Sequence, residues 1–335
     1  MTPCKHDFET YPDGLTACLN CGKTLYQITN NKEKTMKTTV IYHSADFDGI
    51  FCREIARRFL PSDTEFIGWN FGDAPIPVPE GMVYILDLSP ECLKDVRPVA
   101  VPFWDRMVWI DHHKTSIENW PSTIPGYRID GVAACRLAWQ WFKSMPEHAT
   151  PNFAGRGIEE TLPVKADYIE RLVDEPGAVL MVGEHDIWDH RNPFAQTLQF
   201  GLRADGELSW GLLLDGNDGY LCDLLIKGRA AQAYCRNFDA DICRSRTWVM
   251  EWEGLKFLCV NSASFNSRFF DSKDVPETGH DALMGFYFNG RVWTVSLYHA
   301  KHRTYRDLSV IAKRHGGGGH RGACGFTCAV LPFTL

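Results

Sequence analysis

The stretch Thr38-Thr39-Val40-Ile41-Tyr42-His43-Ser44-Ala45-Asp46-Phe47-Asp48-Gly49 decides how the rest of the chain is read. Its first five residues are uncharged and mostly β-branched or aromatic, the pattern of a strand buried on both faces. After His43 the pattern changes: Ile50, Phe51, Ile55 and Phe59 recur at helical spacing within Ile50 to Leu60, with basic residues between them. The polar stretch between strand and helix holds one imidazole and two carboxylates.

Working outward, the same grammar recurs twice. Met82-Val83-Tyr84-Ile85-Leu86 reads as a second core strand with Asp87 at its end. Met107-Val108-Trp109-Ile110 reads as a third, ending in Asp111-His112-His113. Strands alternating with helices predict an α/β fold with a parallel sheet, whose ligands sit beyond the carboxyl ends of the strands. One Asp after a strand is an ordinary helix cap. Three Asp and His sets at three strand ends exceed what capping explains. Clustered carboxylates repel and are costly to bury unless cations neutralise them. Carboxylate mixed with imidazole suits Mn²⁺, Mg²⁺ or Co²⁺ better than a thiolate zinc site. Two such ions sharing a carboxylate are a clamp for phosphoryl transfer, with a hydroxide as nucleophile. The residues therefore point to a binuclear phosphohydrolase.

These residues resemble the DHH phosphoesterase superfamily, named for the Asp-His-His found here at 111–113. His43-x-x-Asp46-x-Asp48-Gly49 is similar to its opening metal motif, and Asp87 to its second. Gly183-Glu184-His185-Asp186-Ile187-Trp188-Asp189 is similar to a fourth, through Asp186 or Asp189. The run His315-Gly316-Gly317-Gly318-Gly319-His320-Arg321-Gly322-Ala323 resembles the glycine-rich signature of the associated substrate domain. By this resemblance His43, Asp46 and Asp87 hold one metal, and Asp48, Asp87, His112 and Asp186 the other, with Asp87 bridging. Asp111 supports the metals from behind, and His113 contacts phosphate or assists proton transfer. The resemblance implies an oligoribonuclease-like phosphodiesterase, exonucleolytic in type. The inorganic pyrophosphatase branch lacks the glycine signature.

Four consecutive glycines, 316–319, let backbone amides approach an anion without Cβ obstruction. Gly317, Gly318, Gly319, His320, Arg321 and Arg303 are therefore the expected phosphate and substrate contacts. At the opposite end, Cys4-Lys5-His6 and Cys18-Leu19-Asn20-Cys21 flank the turn Tyr11-Pro12-Asp13-Gly14. Cys4, His6, Cys18 and Cys21 can close one tetrahedral structural Zn²⁺ site, which would supply the folding energy so short a segment lacks. With every position filled, the head would be structural or a docking surface for a protein partner. The other cysteines read as small core residues.

The 335 residues thus divide into a zinc-binding head (1–26), a linker (27–37), a catalytic domain (38–217), a connecting helix (218–246) interrupted near Gly228, and a glycine-rich substrate domain (247–335). Residues 131–142 predict a Trp-rich core helix, and Asn289-Gly290 a hairpin turn. NSASFNSR, 261–268, reads as a surface loop or as cleft lining. A hydrophobic content of 44%, a charged content of 23% and a mean hydropathy of −0.24 fit a globular chain. No apolar run approaches a membrane span. Met1 to His6 lacks a signal-peptide profile, and a reducing cytoplasm is expected.

A net charge of −7 argues against broad binding to long duplex DNA, but not against a short single-stranded oligonucleotide or nucleotide. Three functions compete: hydrolysis of short oligonucleotides to mononucleotides, the same chemistry on a cyclic dinucleotide or 3′-phosphonucleotide, and a degenerate adaptor working through the head. The sequence leaves oligomeric state open.

Overall fold

The computed structural model describes residues 8–10, 16–18, 37–96, 104, 106–144, 174–189, 191–263, 269–271, 279–300 and 305–334. They belong to two compact units, Met1–Leu225 and Ile226–Leu335. Cys4, His6, Cys21 and Arg303 lie outside the described residues, as do residues 146–157 and 264–268. The head is described only as a short antiparallel pair, β1 (Phe8–Thr10) and β2 (Thr16–Cys18).

The first unit is built on a four-stranded, all-parallel sheet: β3 (Thr38–His43), β4 (Glu65–Trp69), β5 (Met82–Leu86) and β6 (Met107–Ile110), in the order β4-β3-β5-β6. Side chains alternate between its faces. Val40, Tyr42, Tyr84, Leu86, Val108 and Ile110 meet a core built from α1 (Phe47–Phe59), α3 (Ala134–Lys143), α4 (Gly177–Asp186) and α5 (Pro193–Ala204). Ile41, Val83, Ile85, Met107 and Trp109 meet a second core with Trp69 and Trp120. Burial on both faces explains why β3, β5 and β6 read as unbroken apolar runs. A short α2 (Lys114–Asn119) follows β6, and α6 (Trp210–Leu214) follows α5.

The strand order reverses between β3 and β5, because the chain moves outward to β4 and then returns to the other side of β3. In open parallel sheets this reversal leaves a crevice at the carboxyl ends. His43 ends β3, and Asp87 follows β5, at that point.

Helix α7 (Asp218–Ser245) runs unbroken through Gly228, without the interruption expected there. Gly228 is buried within the helix. The second unit holds a mixed six-stranded sheet, ordered β11-β12-β10-β9-β8-β7, in which only the β8–β9 pairing is parallel. Its strands are β7 (Thr247–Trp252), β8 (Leu255–Asn261), β9 (Ala282–Phe288), β10 (Trp293–His299), β11 (Gly318–His320) and β12 (Ala323–Cys328), and α8 (Ser309–Arg314) packs on one face.

One turn differs from expectation. The β9–β10 loop spans Asn289 to Val292, because Asn289 Oδ1 accepts from the amides of both Arg291 and Val292 and so draws them out of the strand. Within 248–260 the chain reverses at Glu253-Gly254, with φ values of 52° and 72°. This is the two-residue hairpin turn of the sheet. Cys52, Cys92, Cys135, Cys243, Cys259 and Cys324 are buried and free, while Cys222 is exposed and fills no core. Among the described residues no helix is long and apolar enough to cross a membrane.

Candidate metal centre

The first ligand group forms where β3 hands over to α1. Asp46 is the N-cap of α1, and its Oδ1 accepts from Gly49 N at 3.1 Å. This cap starts the helix at Phe47, three residues earlier than periodicity alone suggests. The other carboxylate oxygen of Asp46, Oδ2, lies 3.1 Å from His43 Nδ1. Gly49 is required by close approach, since a Cβ there would lie 2.0 Å from the His43 carbonyl oxygen.

Asp48 sits in the first turn of α1 and is buried. Its Oδ2 accepts from Ala134 N at 2.9 Å and its Oδ1 from Cys135 N at 2.8 Å. Those amides open α3, whose own N-cap residue, Ala133, supplies no side-chain bond. Asp48 therefore caps a helix from a distant part of the chain, and the positive end of that helix faces a carboxylate.

Asp87 follows β5 with φ +58°, the left-handed region, which costs roughly 1 kcal/mol for a residue with a Cβ. Its amide donates to Ile110 O at 2.9 Å, which aims the side chain inward. Oδ2 lies 3.3 Å from His43 Nδ1. Oδ1 lies 3.4 Å from His112 Nε2 and 3.9 Å from His113 Nδ1, and it makes no hydrogen bond among the described residues. A buried carboxylate oxygen without a donor is costly and calls for a cation.

Asp111, fully buried after β6, points a different way. Its Oδ1 accepts from His112 N at 2.7 Å, His113 N at 3.2 Å and His113 Nδ1 at 2.7 Å. It belongs to none of the ligand groups; instead it fixes the His113 imidazole and holds the backbone of both histidines. His112 Nε2 faces Asp186 Oδ2 at 3.2 Å, Asp87 Oδ1 at 3.4 Å and Asp48 Oδ2 at 3.7 Å. Asp186 is the last residue of α4. Asp189, the alternative to Asp186, is engaged with the Arg191 guanidinium, whose Nε lies 2.9 Å from its Oδ1.

Three groups of ligand atoms, each within 4.8 Å of one another, result: His43, Asp46 and Asp87; Asp48, His112 and Asp186; and Asp87, His112 and His113. The donors are all carboxylate and imidazole, a set that fits hard or borderline divalent ions.

The electrostatics fit the same picture. Burial, then the charges of Asp87 and Asp186, pushes Asp48 well above the carboxylate range. Burial alone would raise Asp87, but the imidazoles of His112 and His43 outweigh it and hold it low. Burial opposes protonation of His43 and His112, yet their carboxylate neighbours win and raise both to about 10. Burial lifts Asp186 to about 6. Burial likewise disfavours His113 imidazolium, and the Asp111 bond reverses it, so His113 is raised. The metal-free centre thus uses protons as its counter-charges.

Sequence reasoning missed Arg128. This buried guanidinium donates to the carbonyls of Trp109 at 3.1 Å, Ser122 at 3.2 Å, Ile124 at 2.5 Å and Pro125 at 3.4 Å, and lies 4.8 Å from the Trp109 ring centroid. It ties residues 122–128 to the end of β6, where Asp111 N donates to Tyr127 O at 3.1 Å. Burial brings it down to about 10. A lone arginine in an apolar stretch gives no signal of this role.

In the second unit the glycine run is partly structural. Gly316 has φ +79°, and Gly316 N and Gly317 N donate to Lys313 O and Ala312 O at 3.1 and 2.9 Å, a Schellman cap on α8. Those two amides are therefore not available to an anion. A Cβ at Gly317 or Gly319 would strike β12, whereas Gly318 faces open space. His320 and Arg321 are exposed, and Arg321 donates to Tyr305 O. His315 packs with Trp252 and Phe326 and bonds Glu253 at 3.0 Å.

No protein-family model and no curated protein sequence matches this chain. Several solved structures do. The pGpG-specific phosphodiesterase PggH from Vibrio cholerae aligns over 88% of this chain and 94% of its own, at 13% identity and a TM-score of 0.43. An exopolyphosphatase-related protein from Bacteroides fragilis aligns over 89% and 88%, at 11% identity and a TM-score of 0.41. RecJ from Thermus thermophilus in complex with Mn²⁺ aligns over 89% of this chain and 50% of its own, at 13% identity and a TM-score of 0.41. Scores this low assign no activity. The resemblance to DHH phosphoesterases stands on the motif residues of this chain.

Proposed function

We propose that this chain is a divalent-metal-dependent phosphodiesterase that hydrolyses short oligonucleotides to mononucleotides. The observation that carries the reading is Asp87: buried, strained, lacking a hydrogen bond at Oδ1, and shared between two ligand groups. His43, Asp46 and Asp87 would hold one ion, and Asp48, Asp87, His112 and Asp186 the other. Mn²⁺, Mg²⁺ or Co²⁺ bound there would supply a hydroxide nucleophile at neutral pH and offset charge at phosphorus.

The protein's own groups do the rest. Asp111 accepts from His113 Nδ1, which leaves Nε2 of the same ring to bind a phosphoryl oxygen or give a proton to the leaving alcohol. Arg128 keeps the end of β6 in place beneath them. In the second unit, Gly318, Gly319, His320, Arg321 and Arg303 are assigned to the substrate's phosphate or sugar. For the head, one structural zinc is assigned to Cys4, His6, Cys18 and Cys21.

A radiolabelled dinucleotide assay tests the chemistry: cleavage should require the divalent ion and fall at least about a thousandfold in Asp87→Ala. A fully active Asp87→Ala chain rejects the mechanism. A panel including a cyclic dinucleotide and a 3′-phosphonucleotide separates the two substrate alternatives. Metal analysis that finds zinc alone would favour an adaptor.

A further inference from the structure

The loop after β4 places an aromatic ring at the rim of the centre. Phe71 is 49% exposed, while its neighbour Trp69 is buried. Its ring centroid lies 5.6 Å from that of His43, 5.7 Å from that of His113 and 5.9 Å from that of Trp69, edge to face in each case. The two histidines come from the ends of β3 and β6, so Phe71 spans both sides of the strand end that carries Asp87.

The ring is held from both directions. Asn70 Oδ1 accepts from Ser44 N at 3.2 Å and Ser44 Oγ at 3.1 Å, beside His43. Asn70 N donates to Asp73 Oδ2 at 2.9 Å, and Trp69 Nε1 donates to Ala74 O at 3.1 Å. The turn passes through Gly72 at φ +100°.

A core-filling phenylalanine would be covered. This one is pinned in place with half its surface in water, at the edge of a cluster of carboxylates and imidazoles. A flat apolar face fixed beside a phosphate-handling centre suits one ligand group, the base attached to that phosphate. Stacking needs no particular base, because every base has a π-face.

We propose that Phe71 is a base-stacking residue, on which a nucleobase of the bound substrate lies while its phosphate occupies the centre. This rests on the phosphodiesterase reading for the nature of the substrate, but it is tested by binding alone. Titration calorimetry with the full chain in Mg²⁺ compares AMP with ribose 5-phosphate, which share the phosphate and sugar and differ in the base. AMP should bind about tenfold more tightly, Phe71→Ala should erase that preference, and Phe71→Trp should keep it. The proposal is overturned if the wild-type chain shows no preference, if Phe71→Ala retains it, or if Phe71→Ala weakens both ligands equally. A chain that shows the Phe71-dependent preference yet fails to cleave dinucleotides rejects the phosphodiesterase reading and leaves this one standing.

Discussion

At the scale of single residues, protons and cations compete for one set of atoms. His43 and His112 titrate near 10 in the metal-free fold, against 6.5 for an ordinary imidazole, and Asp186 near 6 against 3.8. In both windows the folded state binds more protons than the unfolded state, so stability falls as pH rises. The imidazole contribution is complete below about pH 6.5 and is lost as pH climbs toward 10. In EDTA, thermal melts should therefore fall from pH 6.5 to pH 9.5, and saturating Mg²⁺ should remove most of that decline by taking the protons' place. A melting temperature that rises with pH in EDTA would contradict the arrangement.

Trp188 offers a second test at this scale. It is 60% exposed with φ +57°, and its amide and that of Asp189 close a Schellman cap on α4 through His185 O and Glu184 O at 3.2 and 2.8 Å. Glycine is the usual residue at this position. Trp188→Gly should stabilise the chain by about 1 kcal/mol in urea melts.

At the scale of elements, Asp48 joins the centre to the helical layer. Its two bonds to the start of α3 are the side-chain cap that helix has from outside itself. Asp48→Ala should destabilise the metal-free chain by about 2–3 kcal/mol, because two buried amides lose their acceptor. Asp186→Ala removes a ligand without touching a cap and relieves repulsion, so its metal-free stability should match or exceed the wild type. Chemical denaturation in EDTA separates them; equal losses would show that Asp48 is a ligand and nothing more.

This double role also marks the limit of what the sequence spells out. The strand ends at His43, Asp87 and Asp111 were legible because an apolar run stops abruptly at a ligand. Which of Asp186 and Asp189 joins the cluster was not, because that depends on where α4 ends in space. Strand β4 went unseen: only one of its five residues is buried, so Glu65–Trp69 lacks an apolar run. The glycine run was legible as a special segment, but not the division of its amides, since a helix cap and an anion loop call for the same residue. Arg128 left no pattern at all, for four backbone carbonyls are invisible to side-chain reading.

At the scale of the molecule, the net charge of −7 coexists with the proposed site for a phosphate-bearing ligand. Part of that acidity, five of the 42 acidic residues, lies in Asp46, Asp48, Asp87, Asp111 and Asp186, where bound cations would offset it. No broad basic face is needed for a short substrate. Affinity for a dinucleotide should accordingly depend weakly on salt, with a log–log slope of about −1 to −2, the value for one or two phosphate contacts. A slope several times steeper in a binding titration at 50–300 mM salt would instead reveal an extended nucleic-acid track.

The bond from Asp48 to Ala134 has a consequence in time. It spans 86 residues of chain, and the ligands it gathers come from four separate segments. Closing so long a loop carries an entropic cost that local contacts cannot offset early in folding. The centre should thus be among the last parts of the first unit to assemble, and cations should meet it only after the sheet exists. Their grip would then act on the rate of escape from the native state, lengthening its lifetime while leaving the rate of its formation almost untouched.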